Sequence, residues 1–176
     1  MNLANLITVF RIAITPVYLF FLYYYFNPGG MSNWILLLLF ILLAASDGID
    51  GAVARRKGIV TKLGKLLDPI ADKVFLGGTF VTLSLMQIIP WWVTIAILVR
   101  EIAITLYRLV VIKDRVIPAS GSGKSKTVLQ CIALGWYISP LPWTFMLTGF
   151  DIGYGLLYGA VFLTWFSAIE YIRESR

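Results

Sequence analysis

The chain has 176 residues, of which 59% are hydrophobic and 14% charged, and its mean hydropathy is +0.84. A water-soluble globular domain is excluded, because a surface of that composition needs lipid around most of it. A single cysteine, Cys131, excludes an internal disulfide, and the lack of histidine removes the commonest general base and metal ligand. Carboxylates, lysines, arginines and hydroxyls are left to carry any chemistry. The net charge of +6 reads, in a membrane chain, as cytoplasmic loops facing anionic head groups and not as a nucleic-acid surface.

In chain order the apolar pattern predicts an all-α integral membrane protein with six transmembrane helices in one domain, residues 1–176. At about 20 residues for each crossing of ~30 Å of hydrocarbon, the spans fall near 8–27, 33–56, 64–88, 90–112, 124–148 and 152–172. The first apolar run leads to further spans without an A-x-A-like cleavage site, so it is expected to be permanent. Connectors at Asn27–Gly30, Gln87–Pro90 and Thr148–Gly153 carry no Lys or Arg, whereas Arg55–Lys65, Lys113–Lys126 and the C-terminal Arg173 and Arg176 hold most of the basic residues. By the positive-inside rule both termini and the basic loops are cytoplasmic. Trp34, Trp91, Trp92 and Trp143 then mark the outer interface. Val74–Val99 is uncharged and long enough for one helix, but Pro90 and the sidedness of the basic loops favour a turn at Gln87–Pro90.

The stretch S-D-G-I-D-G-A-V-A-R-R-K-G-I-V-T-K-L-G-K-L-L-D-P-I-A-D-K, Ser46–Lys73, sets four aspartates beside apolar sequence. Asp47 lies 14 residues beyond Asn33 and Asp72 lies 15 residues before Gln87. At 1.5 Å per residue both are ~21–23 Å from the outer end, still within the hydrocarbon. Asp50 and Asp68 lie one turn nearer the cytoplasm. Spacings of i, i+3 and i, i+4 put each pair on one helix face, so two antiparallel helices can aim four carboxylates at one point. Unpaired, they would be prohibitively costly there. Asp68 before Pro69 also fits an N-cap, and Asp50 before Gly51 a turn, but capping explains one aspartate and not four at matched depth. Arg56 and Lys57 read as topology determinants. Oxygen donors without His or Cys select a hard cation, Mg²⁺ or Mn²⁺, and four carboxylates shared by two metals clamp a phosphoryl group.

The spacing D-x2-D-G-x2-A-R-x8-G-x3-D-x3-D is met at Asp47, Asp50, Gly51, Ala54, Arg55, Gly64, Asp68 and Asp72. It resembles the signature of the CDP-alcohol phosphotransferases, membrane enzymes that displace CMP from a CDP-linked lipid with an alcohol. The resemblance implies a binuclear metal centre on Asp47, Asp50 and Asp68 with Asp72 at its edge, and Asp72 as the general base toward the attacking hydroxyl. Gly51 and Ala54 would let the backbone approach a nucleotide, and Arg55 would bond phosphate. Gly64 fits a packing glycine equally well.

Further polar signals bear on the acceptor. Arg100 and Glu101 interrupt an apolar helix, Arg108 follows, and Gly123–Thr127 opens the next span. Arg100, Arg108, Lys124 and Lys126 can converge on an anionic acceptor group. Alternatively, Arg100 pairs with Glu101 and the lysines mark the inner side. S-G-S-G-K-S-K-T is not a P-loop, because Pro118 stands where its first glycine belongs. R-E-I-A-I-T-x2-R, G-K-S-K-T-x2-Q and the opening N-L-A-N-L-I-T-V-F-R resemble the branch of the family whose acceptor is glycerol 3-phosphate. That branch implies an amphipathic N-terminal segment, with Asn5 and Thr8 near the nucleotide, although Thr8 also fits a helix cap, and Ala4 departs from the branch's usual proline. The expected partners are CDP-diacylglycerol, glycerol 3-phosphate and membrane lipids, in a homodimer at the cell membrane with the active site facing the cytoplasm. Other acceptors are phosphatidylglycerol, inositol phosphate, inositol or serine. A cation transporter would also place aspartates at depth, but more typically at helices broken near the midplane.

Overall fold

The computed structural model describes the backbone of residues 3–56, 62–111, 121–141 and 152–174, and the side chains within 8–46, 70–107, 125–141 and 152–173. The described residues form six helices and no strand: α1 Leu3–Tyr25, α2 Ser32–Arg56, α3 Lys62–Leu85, α4 Trp91–Val111, α5 Gly121–Ile138 and α6 Ile152–Glu174.

Apolar side chains point outward as well as inward. Phe10, Phe20, Ile35, Leu38, Leu42, Ile95, Ile102, Ile132, Phe162 and Phe166 are all exposed. A helix that is apolar all round, on the outside of a bundle, is solvated by hydrocarbon. This is an all-α membrane protein. Thr8–Tyr25 and Ile152–Arg173 are each long and apolar enough to cross a bilayer, and Ser32–Ser46 is a shorter apolar stretch. The observed α1 runs unbroken from Leu3, so the start of the expected amphipathic segment and the first span share one helix.

Packing builds from aromatic contacts at the centre. Helix α1 lies against α2 and α3, α4 against α3 and α6, and α5 against α6. Tyr18 of α1 meets Phe40 of α2 at 6.4 Å and Phe75 of α3 at 5.9 Å, and Phe40 and Phe75 stack at 5.2 Å. All three are buried, with Leu22, Leu36, Phe80 and Leu83 around them. Gly78 lets Leu19 of α1 come close, since a Cβ would sit 2.6 Å from its Cδ1, and Gly77 faces Leu98 of α4 at 3.0 Å. The close approach offered by Gly77–Gly78 is therefore taken up within the chain.

Turn chemistry sets the hairpins. Asn27-Pro28-Gly29-Gly30 closes a β-turn through the Gly30 N–H to Asn27 C=O bond of 2.8 Å, with Gly29 at φ 74°. Proline at the second position and a left-handed glycine at the third make it type II. The buried Asn33 side chain accepts from the Asn27 N–H at 3.0 Å and ties the loop to α2.

The expected turn at Gln87–Pro90 is present. Ile88 N–H bonds Leu83 C=O at 2.9 Å and Gln87 N–H bonds Ser84 C=O at 3.0 Å, which is a Schellman ending with Gln87 at φ 59°. Behind it, Ser84 and Thr94 share a buried hydroxyl bond of 2.7 Å between α3 and α4.

One expected span is corrected. The stretch 124–148 is not a single helix, because α5 ends at Ile138. Pro140 has no N–H to continue the ladder and disfavours helical backbone at Ser139. The Ser139 hydroxyl instead donates to Trp136 C=O at 2.7 Å and accepts from Leu141 N–H at 3.3 Å.

A non-glycine residue in the left-handed region costs about 1 kcal/mol or more. Gln87→Gly is therefore expected to raise stability by about 0.5–1 kcal/mol after the entropy cost of glycine. The check is the thermal unfolding midpoint in detergent, which should rise.

Candidate active site

The aspartates sit at the joined ends of α2 and α3. Helix α2 is about 37 Å long at 1.5 Å per residue, while the five-residue connection 57–61 spans at most about 21 Å. With Phe40 stacked on Phe75, the two helices must therefore run antiparallel, and Asp47, Asp50, Asp68 and Asp72 all lie on one side of the ring pair. Asp47 is seven residues along α2 from Phe40, and Asp68 is seven residues back along α3 from Phe75. Asp72 is one turn closer to the rings. Counting from the ring pair thus pairs Asp47 with Asp68, about one turn away from the register counted from the helix ends.

Of these four carboxylates, Asp72 is the one whose side chain is described. It is half-buried, one residue after the fully buried Ala71, and lines a cavity of about 230 Å³ between α3, α4 and α5. The body of the cavity is apolar, with Leu76, Gly77, Phe80, Ile97 and Leu98. Its polar end, away from the Gln87–Pro90 turn, carries Asp72, Lys73, Glu101, Thr127 and Gln130. The side chains of Asp47, Asp50, Gly51, Ala54, Arg55 and Asp68 lie outside the described residues, as do those of Asn5, Arg108 and Lys124. Among the described residues no three potential metal ligands gather.

Two of the four basic residues expected at the acceptor site are brought together by one carboxylate. Glu101 Oε1 accepts from Arg100 Nη1 at 3.1 Å and from Lys126 Nζ at 2.5 Å. All three are mostly buried, with side-chain exposures of 5% for Arg100, 21% for Glu101 and 12% for Lys126. Arg100 does not line the cavity: its Nη2 donates to Ser167 Oγ of α6 at 2.6 Å. Its pairing with Glu101, one of the two readings open from sequence, is present, and Lys126 joins the same pair.

The polar network extends through four helices. Ser167 Oγ donates to Thr164 C=O at 3.0 Å, and Gln130 Nε2 donates to Thr164 Oγ1 at 2.9 Å. On the other side Lys73 Nζ donates to Thr105 Oγ1, which itself donates to Glu101 C=O at 2.7 Å. Residues Lys73, Glu101, Gln130 and Ser167 were not singled out as site residues from sequence. An ionisable or amide side chain inside an apolar helix was the available signal for Lys73, Glu101 and Gln130, and the Ser167 hydroxyl offered none.

The N-terminal helix also reaches Ser46, the residue before the first aspartate. Thr8 and Arg11 are both 1% exposed, one turn apart on α1. Arg11 Nε donates to Ser46 Oγ at 3.0 Å, immediately before Asp47, and Ser46 Oγ donates to Leu43 C=O at 2.7 Å. Arg11 closed the opening motif in the sequence but carried no role there. Its burial makes it an anchor of α1 at the start of the aspartate run.

A family model described as CDP-alcohol phosphatidyltransferase matches residues 1–166. The chain belongs to the CDP-alcohol phosphatidyltransferase family. It is 36% identical to a protein of Mycobacterium tuberculosis (strain CDC 1551 / Oshkosh) named probable phosphatidylglycerophosphate synthase, over 99% of this chain and 81% of that one. It is 34% identical to the CDP-diacylglycerol–glycerol-3-phosphate 3-phosphatidyltransferase of Bacillus subtilis (strain 168), over 99% of this chain and 95% of that one. The protein of the same name from Escherichia coli (strain K12) is 32% identical over the same shares. Membership makes this chain a transferase, and the family match spans α1 to α5 and most of α6, including all four aspartates.

Ser167→Ala would remove one partner of a buried guanidinium. Hydrogen bonds to charged groups contribute about 1.5–3 kcal/mol, so the variant is expected to unfold in detergent with about 2 kcal/mol less stability, measured by thermal or denaturant titration.

Proposed function

We propose that this protein transfers the phosphatidyl group of CDP-diacylglycerol to the sn-1 hydroxyl of glycerol 3-phosphate, giving phosphatidylglycerophosphate and CMP. The observation that carries the reading is the cavity on which Asp72 shares a polar end with the Glu101 that holds Lys126 and Arg100. It sets a candidate base on one wall with the carboxylate that holds Lys126, a cation suited to a phosphate, in a chain 32–36% identical to relatives bearing that activity in their names.

Asp47, Asp50, Asp68 and Asp72 would hold two divalent cations, Mg²⁺ or Mn²⁺. The donor set is oxygen alone on the adjoining ends of α2 and α3, which suits a hard cation. Bound there, the cations supply neutralisation of the diphosphate and of the departing CMP. Asp72 takes the proton from the sn-1 hydroxyl as its oxygen bonds to the phosphatidyl phosphorus and the bond to CMP breaks. Gly51 and Ala54 admit the nucleotide close to α2, Arg55 bonds its phosphates, and Asn5 and Thr8 approach from α1. Lys126, with Lys124 and Arg108, attracts the acceptor phosphate, and Arg100 braces the group from behind.

The membrane arrangement in this reading has six spans, both termini cytoplasmic, and the site one or two turns inside the cytoplasmic rim. There a two-tailed lipid arrives sideways and a soluble acceptor from water. The chain works as a homodimer in the cell membrane, without nucleic acid.

The deciding experiment is CMP release by the detergent-solubilised protein from CDP-diacylglycerol and Mg²⁺, with glycerol 3-phosphate, serine, inositol, inositol phosphate and phosphatidylglycerol offered separately. Release with glycerol 3-phosphate alone is expected, and release only with another acceptor would refute the assignment. A chelator should abolish release, and Mg²⁺ or Mn²⁺ should restore it. Asp72→Asn is expected to lower kcat by about 10³-fold or more while CDP-lipid binding persists. Normal turnover would remove Asp72 as the base.

A further inference from the structure

The polar network at the inner end of the cavity contains one carboxylate that the proposed chemistry does not use. Glu101 is neither in the aspartate motif nor on α2 or α3, yet it lines the cavity with Asp72 and takes bonds from cations on two helices. In apolar surroundings a lone carboxylate is costly, and a lone ammonium or guanidinium equally so. Three charges held as one group on α4 and α5 carry net +1, so the group is stable without ligand and still attractive to an anion. Its geometry is fixed from behind: Arg100 is locked to Ser167 of α6, and Thr105, which bonds the Glu101 carbonyl, takes Lys73 of α3.

We propose that Glu101 is a positioning residue for the acceptor. Its carboxylate holds the Lys126 ammonium beside the polar end of the cavity, so that the acceptor's phosphate is captured where its hydroxyl reaches Asp72. Glu101 acts through Lys126 and does not touch the reacting atoms. The assignment rests on the glycerol 3-phosphate reading and adds the residue that builds its anion subsite. A bare salt bridge serving only stability would have no reason to sit on a cavity wall, and Thr127 and Gln130, which follow Lys126 on α5, line that same wall.

The test is steady-state kinetics of the full-length protein in detergent with both substrates varied, for wild type, Glu101→Gln, Glu101→Asp, Lys126→Ala and the double variant Glu101→Gln/Lys126→Ala. Glu101→Gln is expected to raise KM for glycerol 3-phosphate by about 10-fold, with KM for CDP-diacylglycerol changed less than about 2-fold. Glu101→Asp should recover most of the loss, and the double variant should be no worse than Lys126→Ala alone, since the two act as a unit. Equal rises in both KM values, a fall in kcat alone, a lowered acceptor KM, or strictly additive losses would each overturn the assignment. If Glu101→Gln does not fold, Lys126→Ala alone reads the same subsite, and an acceptor KM unchanged in that variant would overturn the assignment. Wild-type protein inactive with glycerol 3-phosphate would overturn the acceptor reading and this inference with it. Active wild type with an unchanged acceptor KM in Glu101→Gln would overturn the inference alone.

Discussion

Charge inside hydrocarbon must be compensated locally, and the end of this bundle away from the Gln87–Pro90 turn is organised around that constraint. Glu101 on α4 takes bonds from Arg100 beside it and Lys126 on α5, and Arg100 is finished by Ser167 on α6. Thr164 then links Gln130 back to α5, while Thr105 carries the network to Lys73 on α3. Four helices are joined by these polar contacts. Each contact is modest by itself, but breaking one leaves a buried partner unsatisfied, and that penalty is what makes the arrangement specific.

Beyond Asp72, toward the Gln87–Pro90 turn, the bundle is held by different means. Tyr18, Phe40 and Phe75 bring α1, α2 and α3 together through ring contacts, and Gly77 and Gly78 let α4 and α1 approach α3 closely. In lipid, packing and close approach replace the hydrophobic driving force available in water. The aromatic pair also acts as the fixed point from which the aspartate run is aligned, because Asp72 and Asp68 follow Phe75 back along α3 as Asp47 and Asp50 follow Phe40 along α2. Packed rings thus lie on one side of the aspartates, and the charge-rich helix ends lie on the other.

Much of this was legible from the residues alone. The connector at Asn27–Gly30 and the break announced by Pro90 between α3 and α4 are both present, and the structure adds that the first is a type II turn. The turn chemistry is local, so it survives without tertiary information. The fifth span was read as one helix, whereas α5 ends at Ile138, where the local breaker Pro140 outweighs apolar composition. Arg100 and Lys126 were readable as acceptor cations, but the carboxylate that joins them was readable only as a possible partner of Arg100. Lys126 comes from 25 positions away, and no local pattern encodes that meeting.

By itself the sequence determined that the chain lives in lipid, that its chemistry must run on oxygen donors and cations, and that Asp47, Asp50, Asp68 and Asp72 share the spacing of one family. These follow from composition and from the helical repeat, both of which are properties of short stretches. Only the tertiary structure decided that Asp72 shares a cavity with Glu101, that Arg100 faces α6 instead of that cavity, and that Arg11 anchors α1 beside Ser46. Those choices depend on which helix faces pack together. Side chains from distant helices settle them by satisfying one another's charge and shape, in a medium that offers no other partner.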